Sequence, residues 1–438
     1  MRTKAEIGNS EWFGGLPKGW NMVPLSALFR FSKGLSITKA DLVKTGKPVI
    51  SYGQIHSKQN IGVEVRESLL RRVPNDLAGE TSPSRVLSNG FVFADTSEDL
   101  EGCGNNVRND SSHALYGGYH TVVLNPRRDF NSKYLAYLFT TDAWRLQIRR
   151  DLVDVKLFSV NQTSLNETYV VIPPTDVQKS IVSYLDERCA AIDEDVAKRR
   201  EVIEKLKEYK KSLIAHAVTK GLDPNTEMKD SGVEWIGEVP ADWRISPIWS
   251  VLRQRKETNS QGEESFILSV IKDKGVVPYS QKGNVGNKAK EDLTGYMIAR
   301  RGDIVFNSMN VIIGSVGLSS YDGAISPAYY AVYPARNSVC IRYYDYVFQT
   351  RQFQYALRLI ANGILEIRLK VNYRDFAHLK FPVPSREIQE KIADFLDERC
   401  AAIDKAVSRQ EQLIEKLGEY RKSIIYHAVT GKIDCSEA

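Results

Sequence analysis

The nonapeptide LDERCAAID stands twice in this chain, at Leu185–Asp193 and again at Leu396–Asp404. The match runs on in register, from Ile203–Asp223 (IEKLKEYKKSLIAHAVTKGLD) to Ile414–Asp434 (IEKLGEYRKSIIYHAVTGKID). Upstream, Pro173 and Gln178 align with Pro384 and Gln389, and Asn161 with Asn372. A second pair repeats at a different offset: EWFGGLPKGW (Glu11–Trp20) and EWIGEVPADW (Glu234–Trp243) share E-W-x-G-x-x-P-x-x-W. The order is therefore lead-in, variable block and conserved block, then the same again. A period near half the chain signals a duplication and not a solenoid.

Each conserved block reads as one long helix. Apolar residues recur at Ile181, Leu185, Cys189, Ile192, Val196, Ile203, Leu206, Leu213 and Ala217. Their mates are Ile392, Leu396, Cys400, Ile403, Val407, Ile414, Leu417, Ile424 and Ala428. Steps of three, four and seven are coiled-coil spacings. Each helix begins after proline, Pro174 or Pro384, with Thr175 and Gln178 as a capping box and Ser385 as the second cap. Each ends near glycine, Gly221 or Gly431. That gives roughly 44 residues and about 65 Å. A narrow stripe of that length needs a partner, and the other copy, packed antiparallel about a pseudo-twofold axis, is the expected one. Arg199 and Gln410 interrupt the stripe; they either fix register or point to water.

The variable blocks read as mixed α and β. Strands are expected in GKPVISYGQI (Gly46–Ile55), NGFVFADT (Asn89–Thr96) and GYHTVVLNP (Gly118–Pro126). Their counterparts are ESFILSVIKDKG (Glu264–Gly275), RGDIVFNSMN (Arg301–Asn310) and PAYYAVYP (Pro327–Pro334). A helix is expected after the third strand of each, over Lys133–Ile148 and Arg342–Ile360. The expected division is 1–175 for the first globular domain, 176–221 for the first helix, 222–385 for the linker and second domain, and 386–438 for the second helix and tail. The two tryptophans of each lead-in suit packing at a domain base better than ligand binding. The segment at Gly431–Ala438 is expected near the first lead-in, which would bring the chain termini together.

At 438 residues, with 42% hydrophobic side chains, the chain can build several cores and is not a disordered protein. No apolar run is long enough for a membrane span or a signal peptide. The five cysteines are scattered, without a C-x-x-C pair, which suits a reduced, cytoplasmic protein. The net charge of +6 permits a polyanionic partner. The long helices are nearly balanced in charge, so the excess lies in the remainder of the chain. There, basic residues mix with Asn, Gln, Tyr and His, a mixture that suits phosphate contacts and base-edge hydrogen bonds.

Catalytic signatures are missing from the sequence. It has no G-x-x-x-x-G-K-[ST], no G-x-G-x-x-G after a strand and no H-E-x-x-H. The six histidines form no ligand cluster, so no metal is expected. VIPP (Val171–Pro174) only faintly echoes the N-P-P-[YF] loop of amino methyltransferases and lacks its asparagine.

Taken together, the two lead-ins and the two helices, reading L-D-x-x-x-x-x-I-D and then I-E-K-L-x-E-Y-[KR]-K-S, resemble the specificity subunit of type I restriction-modification systems. The resemblance spans essentially the whole chain, and Ser231–Trp243 and both helices carry most of it. The first lead-in, Ser10–Trp20, lacks the glycine before Glu-Trp. The resemblance implies an α+β chain with two similar target-recognition domains joined by two long antiparallel coiled-coil helices. It implies a non-catalytic subunit that reads a bipartite, asymmetric sequence in double-stranded DNA. Two methyltransferase subunits, carrying S-adenosylmethionine and flipping the target adenine, would dock on it, with motor-nuclease restriction subunits beyond them. No cofactor is expected in this chain itself.

Loops at strand ends supply the candidate DNA contacts. In the first domain they are Tyr52, Gln54, His56, Lys58, Asn106 and Arg108. In the second they are Ser269, Lys272, Lys274, Asn307, Asn310 and Tyr329, with Lys288 on phosphate. Gln and Asn can pair with adenine and Lys with guanine; alternatively, several of these residues only cap loops. Two rival readings remain. A protein-only coiled-coil scaffold would not need the basic excess, and a nuclease would need a carboxylate cluster that the sequence does not suggest.

Overall fold

The computed structural model describes residues 12–110, 114–150, 158–283, 288–361 and 369–435. The two long helices are Thr175–Lys220, with 46 residues, and Arg386–Val429, with 44. The chain divides into two compact units, Met1–Arg199 with Gln412–Ala438, and Arg200–Glu411. Both helices are cut by this division. Each unit holds one variable block, the first half of one long helix and the last half of the other.

In the first unit, four antiparallel strands lie in the order Phe29–Lys33, Thr121–Pro126, Phe91–Ala94, Asn106–Arg108. In the second, Leu252–Gln254, Tyr329–Pro334, Ile304–Asn307 and Val316–Leu318 lie in the same order. A smaller pair also recurs. Asn21–Pro24 joins Tyr169–Ile172, and Arg244–Pro247 joins Lys380–Val383. Sequence similarity is concentrated in the helices, yet the variable blocks share one topology. They differ in their additions. The first carries a four-stranded sheet, Arg71–Val73, Lys47–Ile50, Leu115–Gly117 and Arg85–Val86, with one parallel pairing. The second carries the hairpin Leu268–Ile271/Gly275–Pro278 and the pair Met297–Ala299/Gly323–Ile325.

Three expectations are corrected. Gly46–Ile55 is not one strand. Lys47–Ile50 is extended, and Tyr52–Ile55 is a helical turn because Ser51 and Gln54 close a capping box. The expected single helix over Lys133–Ile148 is two, Ser132–Phe139 and Asp142–Arg149. Thr141 interrupts it by accepting the Trp144 N–H at 3.4 Å. Its mate Thr350 accepts from Phe353 at 3.3 Å and splits the helix over Arg342–Ile360 into Ile341–Gln349 and Arg351–Ile360. A threonine hydroxyl satisfies a first-turn donor and so starts a new helix in mid-pattern.

Each core joins its sheet, its helix pair and the long-helix stripe. In the first unit Phe91, Phe93, Phe139 and Trp144 pack ring on ring, with Phe139 and Trp144 centroids 4.3 Å apart. Ile181, Leu185, Cys189 and Ile192 enter the same core, and so do Ile424, Ile425, Ala428 and Val429. In the second unit Ile392, Leu396 and Cys400 meet Ile214, Ala217 and Val218 beneath Phe306, Phe348 and Phe353. Truncating Leu185 or Leu396 to alanine would cost about 2–5 kcal/mol, since both are fully buried.

At the helix starts, the Gln178 side-chain amide donates to Pro173 O and that of Gln389 to Pro384 O, each at 2.8 Å. Both helices stop at left-handed glycines, Gly221 at φ +79° and Gly431 at φ +70°. A Cβ on Gly431 would come within 2.3 Å of Pro17 Cγ and 3.1 Å of Trp20. The tail of the second helix therefore lies against the first lead-in, as Gly221 lies near Trp243 and Pro240. Ser10, Glu11 and the termini themselves fall outside the described residues. Trp243 is buried, so the lead-in tryptophan serves packing.

Candidate functional site

Beside the first unit's sheets, an open cleft of about 720 Å³ is lined by Tyr52, His56, Thr96–Asp99, Glu101, Gly102, Asn105 and His120. The turn Tyr52–Ile55 supplies one wall, where the Tyr52 ring meets His56, Tyr119 and His120 edge-on at 5.3–6.3 Å. The loop Thr96–Asn105 supplies the other wall and is held from within. Gly102 N–H donates to Asp99 Oδ1 at 2.6 Å, and Ser97 Oγ to Asp99 O at 2.7 Å. Behind it, Arg149 donates to Glu101 O at 2.8 Å and Arg145 to Asn105 Oδ1 at 2.9 Å. A Cβ at Gly102 would stand 2.4 Å from Ser97 Oγ and 3.1 Å from Asp99 Oδ1, so a larger residue there would have to displace these side chains.

The His56 ring has a fixed role in this wall. Its Nε2 meets Thr96 O at 2.8 Å and its Nδ1 meets the Asn105 amide nitrogen at 3.1 Å. A carbonyl only accepts and an amide nitrogen only donates, so the neutral Nε2–H form satisfies both. His120 is exposed and left-handed at φ +55°, with Nδ1 3.3 Å from Asp95 Oδ1. Among the described residues no lysine or arginine lines the cleft, while Glu98, Asp99 and Glu101 do. Such a lining disfavours phosphate and suits the donor edges of bases, since carboxylates accept from exocyclic amines.

The nominated residues separate by burial. Tyr52 lies in the cleft, and Lys58 is exposed. Gln54 uses its Oε1 to accept the Ser51 N–H at 3.1 Å. His56 is committed as above, and Asn106 donates to Gly104 O at 3.0 Å. Arg108 is corrected from surface reader to structural residue. It is 6% exposed and donates to Asn89, Ser132 and Glu64, the last at 2.6 Å. In the second unit Ser269 and Asn307 are corrected likewise, for both are buried. Asn307 accepts the Met309 N–H at 3.1 Å and stands opposite Tyr329 in the sheet. Tyr329 is half-buried, and burial pushes its phenol above the usual range.

Lys272 and Lys274 are exposed at the turn of the hairpin, around left-handed Asp273. Lys288 and Asn310 are exposed as well. Sequence reasoning passed over Tyr119, His120, Glu98, Asp99, Glu101 and Asn105. The one signal for them was a glycine-bearing polar run beside two strands. Among the described residues no group of three or more His, Cys, Asp or Glu could hold a metal ion, and no helix is long and apolar enough to cross a membrane.

Residues 17–205 and 253–416 match the family described as "Type I restriction modification DNA specificity domain". Over 98% of this chain and 96% of the relative, it is 20% identical to a putative type I restriction enzyme MjaX specificity subunit of Methanocaldococcus jannaschii. The EcoKI specificity subunit of Escherichia coli is 22% identical over 47% of this chain and 44% of its own length. Among solved structures, a chain described under "complex assembly and conformational transition of the type I R-M system" superposes with a TM-score of 0.68 at 16% identity. That match covers 96% of this chain and all of the other. The HsdS subunit of Thermoanaerobacter tengcongensis superposes with a TM-score of 0.50 at 17% identity, over 97% of this chain and all of the other.

Proposed function

The chain belongs to the type I restriction-modification DNA specificity family, and on that premise we propose that it is the non-catalytic subunit that reads a bipartite, asymmetric DNA target. Each variable block takes one half of the target. The observation that carries this reading is the shared strand order of the two units combined with their unlike additions. One block offers an aromatic and acidic cleft, and the other a hairpin tipped with Lys272 and Lys274. One fold with two different surfaces suits two different half-sites. In the first domain the cleft faces base edges and Lys58 takes phosphate. In the second, Lys272, Lys274 and Lys288 supply the positive charge, and the exposed Asn310 reads a base edge.

The two long helices form the antiparallel spacer between the domains. Supporting this, Asp193 pairs with Arg421 at 3.1 Å in the first unit, and Asp404 pairs with Lys210 at 2.7 Å in the second. Lys210 and Arg421 are repeat mates, as are the two aspartates, so each helix offers the same donor and the same acceptor to the other. Two methyltransferase subunits, carrying S-adenosylmethionine, dock on this frame, and motor-nuclease subunits complete the restriction enzyme. The chain contributes no catalytic group of its own and works in the cytoplasm on cellular DNA.

Sequencing the methylated bases of a host that expresses the complete system tests the reading. The expected result is adenine methylation in two short defined segments separated by unread base pairs. Methylation of one contiguous segment, or none from an assembled complex, overturns it. A protein-only scaffold is separated by a gel shift with double-stranded DNA, where the assembled complex should bind more weakly as salt rises.

A further inference from the structure

The repeated nonapeptide holds two aspartates per copy. The second of each makes the helix-to-helix ion pairs described above. The first, Asp186 or Asp397, faces its own globular domain. Tyr137 Oη donates to Asp186 Oδ1 at 2.7 Å, and Lys133 Nζ stands 2.9 Å from Asp186 Oδ2. In the other unit Tyr346 Oη donates to Asp397 Oδ1 at 2.7 Å, and Arg342 pairs with Asp397 and, at 2.8 Å, with Asp394. The donors have the same spacing, Lys133-Tyr-Leu-Ala-Tyr137 and Arg342-Tyr-Tyr-Asp-Tyr346. On a helix, positions i and i+4 share a face, so one turn presents cation and phenol together. The tyrosine after each cation reaches the second long helix of its unit. Tyr134 Oη donates to Val429 O and Tyr343 Oη to Val218 O, each at 3.0 Å.

We propose that the cation-Tyr-x-x-Tyr turn is a three-point clamp, with Asp186 and Asp397 as the positioning residues that fix the angle of each reading domain on the helix pair. This rests on the reading of the chain as a bipartite DNA reader. The apolar stripe alone cannot supply such an angle, because hydrophobic burial is non-directional. A carboxylate held by a phenol on one oxygen and a cation near the other is directional. The phenols remain proton donors at any working pH. Burial first, and then the facing aspartate, hold Tyr137 and Tyr346 well above the ordinary phenol range.

The first clamp is also linked to the reading side. Lys133 Nζ stands 3.1 Å from Glu64, and Glu64 pairs at 2.6 Å with the buried Arg108. Arg108 ends the strand that follows the cleft loop. A continuous polar chain therefore runs from the cleft's supporting strand to the long helix, all within one unit.

The test uses the full chain assembled with its methyltransferase subunits. The substrates are duplexes carrying both half-sites with the native spacer, or with one base pair added or removed. The wild-type complex should strongly prefer the native spacer. Asp186→Asn and Asp397→Asn should each relax that preference about tenfold, the scale of one hydrogen bond to a charged group. Lys133→Arg should keep it. Tyr137→Phe, which removes a single hydroxyl, should relax it in the same direction and serves if Asp186→Asn does not assemble. An assembled Asp186→Asn or Tyr137→Phe complex with undiminished preference overturns the clamp, even if its melting temperature falls. A wild-type complex without any spacer preference overturns the bipartite reading instead.

Discussion

The hydroxyl of Tyr134 donates a 3.0 Å hydrogen bond to the backbone oxygen of Val429, the last residue of the second long helix. The final carbonyls of a helix have no partner within it. A buried tyrosine of the globular domain fills that vacancy, and its repeat mate Tyr343 does the same for Val218. Tyr134→Phe leaves the ring packing intact and leaves the carbonyl without this donor. It should lower stability by about 1–2 kcal/mol in urea unfolding, and Tyr343→Phe should act alike. No loss in either variant would mean that water replaces the hydroxyl, and that the bond does not anchor the helix end.

Much of this frame is legible in the sequence, and the reasons are local. Pro174, Gly221, Pro384 and Gly431 mark the long helices because backbone restriction acts on neighbouring residues. The stripe that includes Leu185 and Leu396 shows in the spacing alone. Asp186 and Asp397 are different. Their partners lie about fifty residues upstream, on turns whose cation and tyrosines look like ordinary amphipathic helix. Arg108 reads as a loop-end cation, since nothing nearby announces that Glu64, Asn89 and Ser132 converge on it. The splits at Thr141 and Thr350 were readable in principle, as a threonine three residues before a buried aromatic is a cap signal. The apolar pattern running through both sites concealed it.

Asp345 gives the second unit a pH-dependent weakness. Its Oδ1 is sealed from water, while Gln349 donates to Oδ2 at 2.8 Å and the Leu318 backbone also faces the carboxyl. Burial pushes this carboxyl from 3.8 up to about 6. The folded pKa is the higher one, so folding favours the protonated form. Its contribution is fully present below about pH 3.8, declines towards pH 6, and above that the buried charge costs about 3 kcal/mol. Asp345→Asn should therefore stabilise the protein at pH 8, by about 1–3 kcal/mol, and flatten the stability profile between pH 4 and 6. An unchanged profile would show that the carboxylate is solvated.

Lys272 and Lys274 stand exposed at a hairpin turn, and among the described residues neither side chain makes a hydrogen bond or ion pair. Replacing either by alanine should leave folding untouched. In the assembled complex, each substitution that removes a phosphate contact should reduce the slope of log affinity against log salt by about 1. Lys58→Ala should do the same through the other half-site. A substitution that changes the methylated bases and leaves the salt slope intact would assign that lysine to a base edge.

The spacer can be lengthened without disturbing either reading surface. The apolar stripe passes through Val196 and Ile203 in one helix and through Val407 and Ile414 in the other. Seven residues inserted between each pair keep the stripe in phase, because the coiled-coil repeat is seven. They add roughly 10 Å at 1.5 Å per residue, which corresponds to about three base pairs of duplex. The clamps at Asp186 and Asp397 lie outside both insertions, so the domains keep their footing on the helices. Methylated-base sequencing with the lengthened chain should return the same two defined segments and a greater number of unread base pairs between them. If an assembled, active variant keeps the original spacing, the helices do not set the distance. The methyltransferase subunits, held to each other across the DNA, must then fix it.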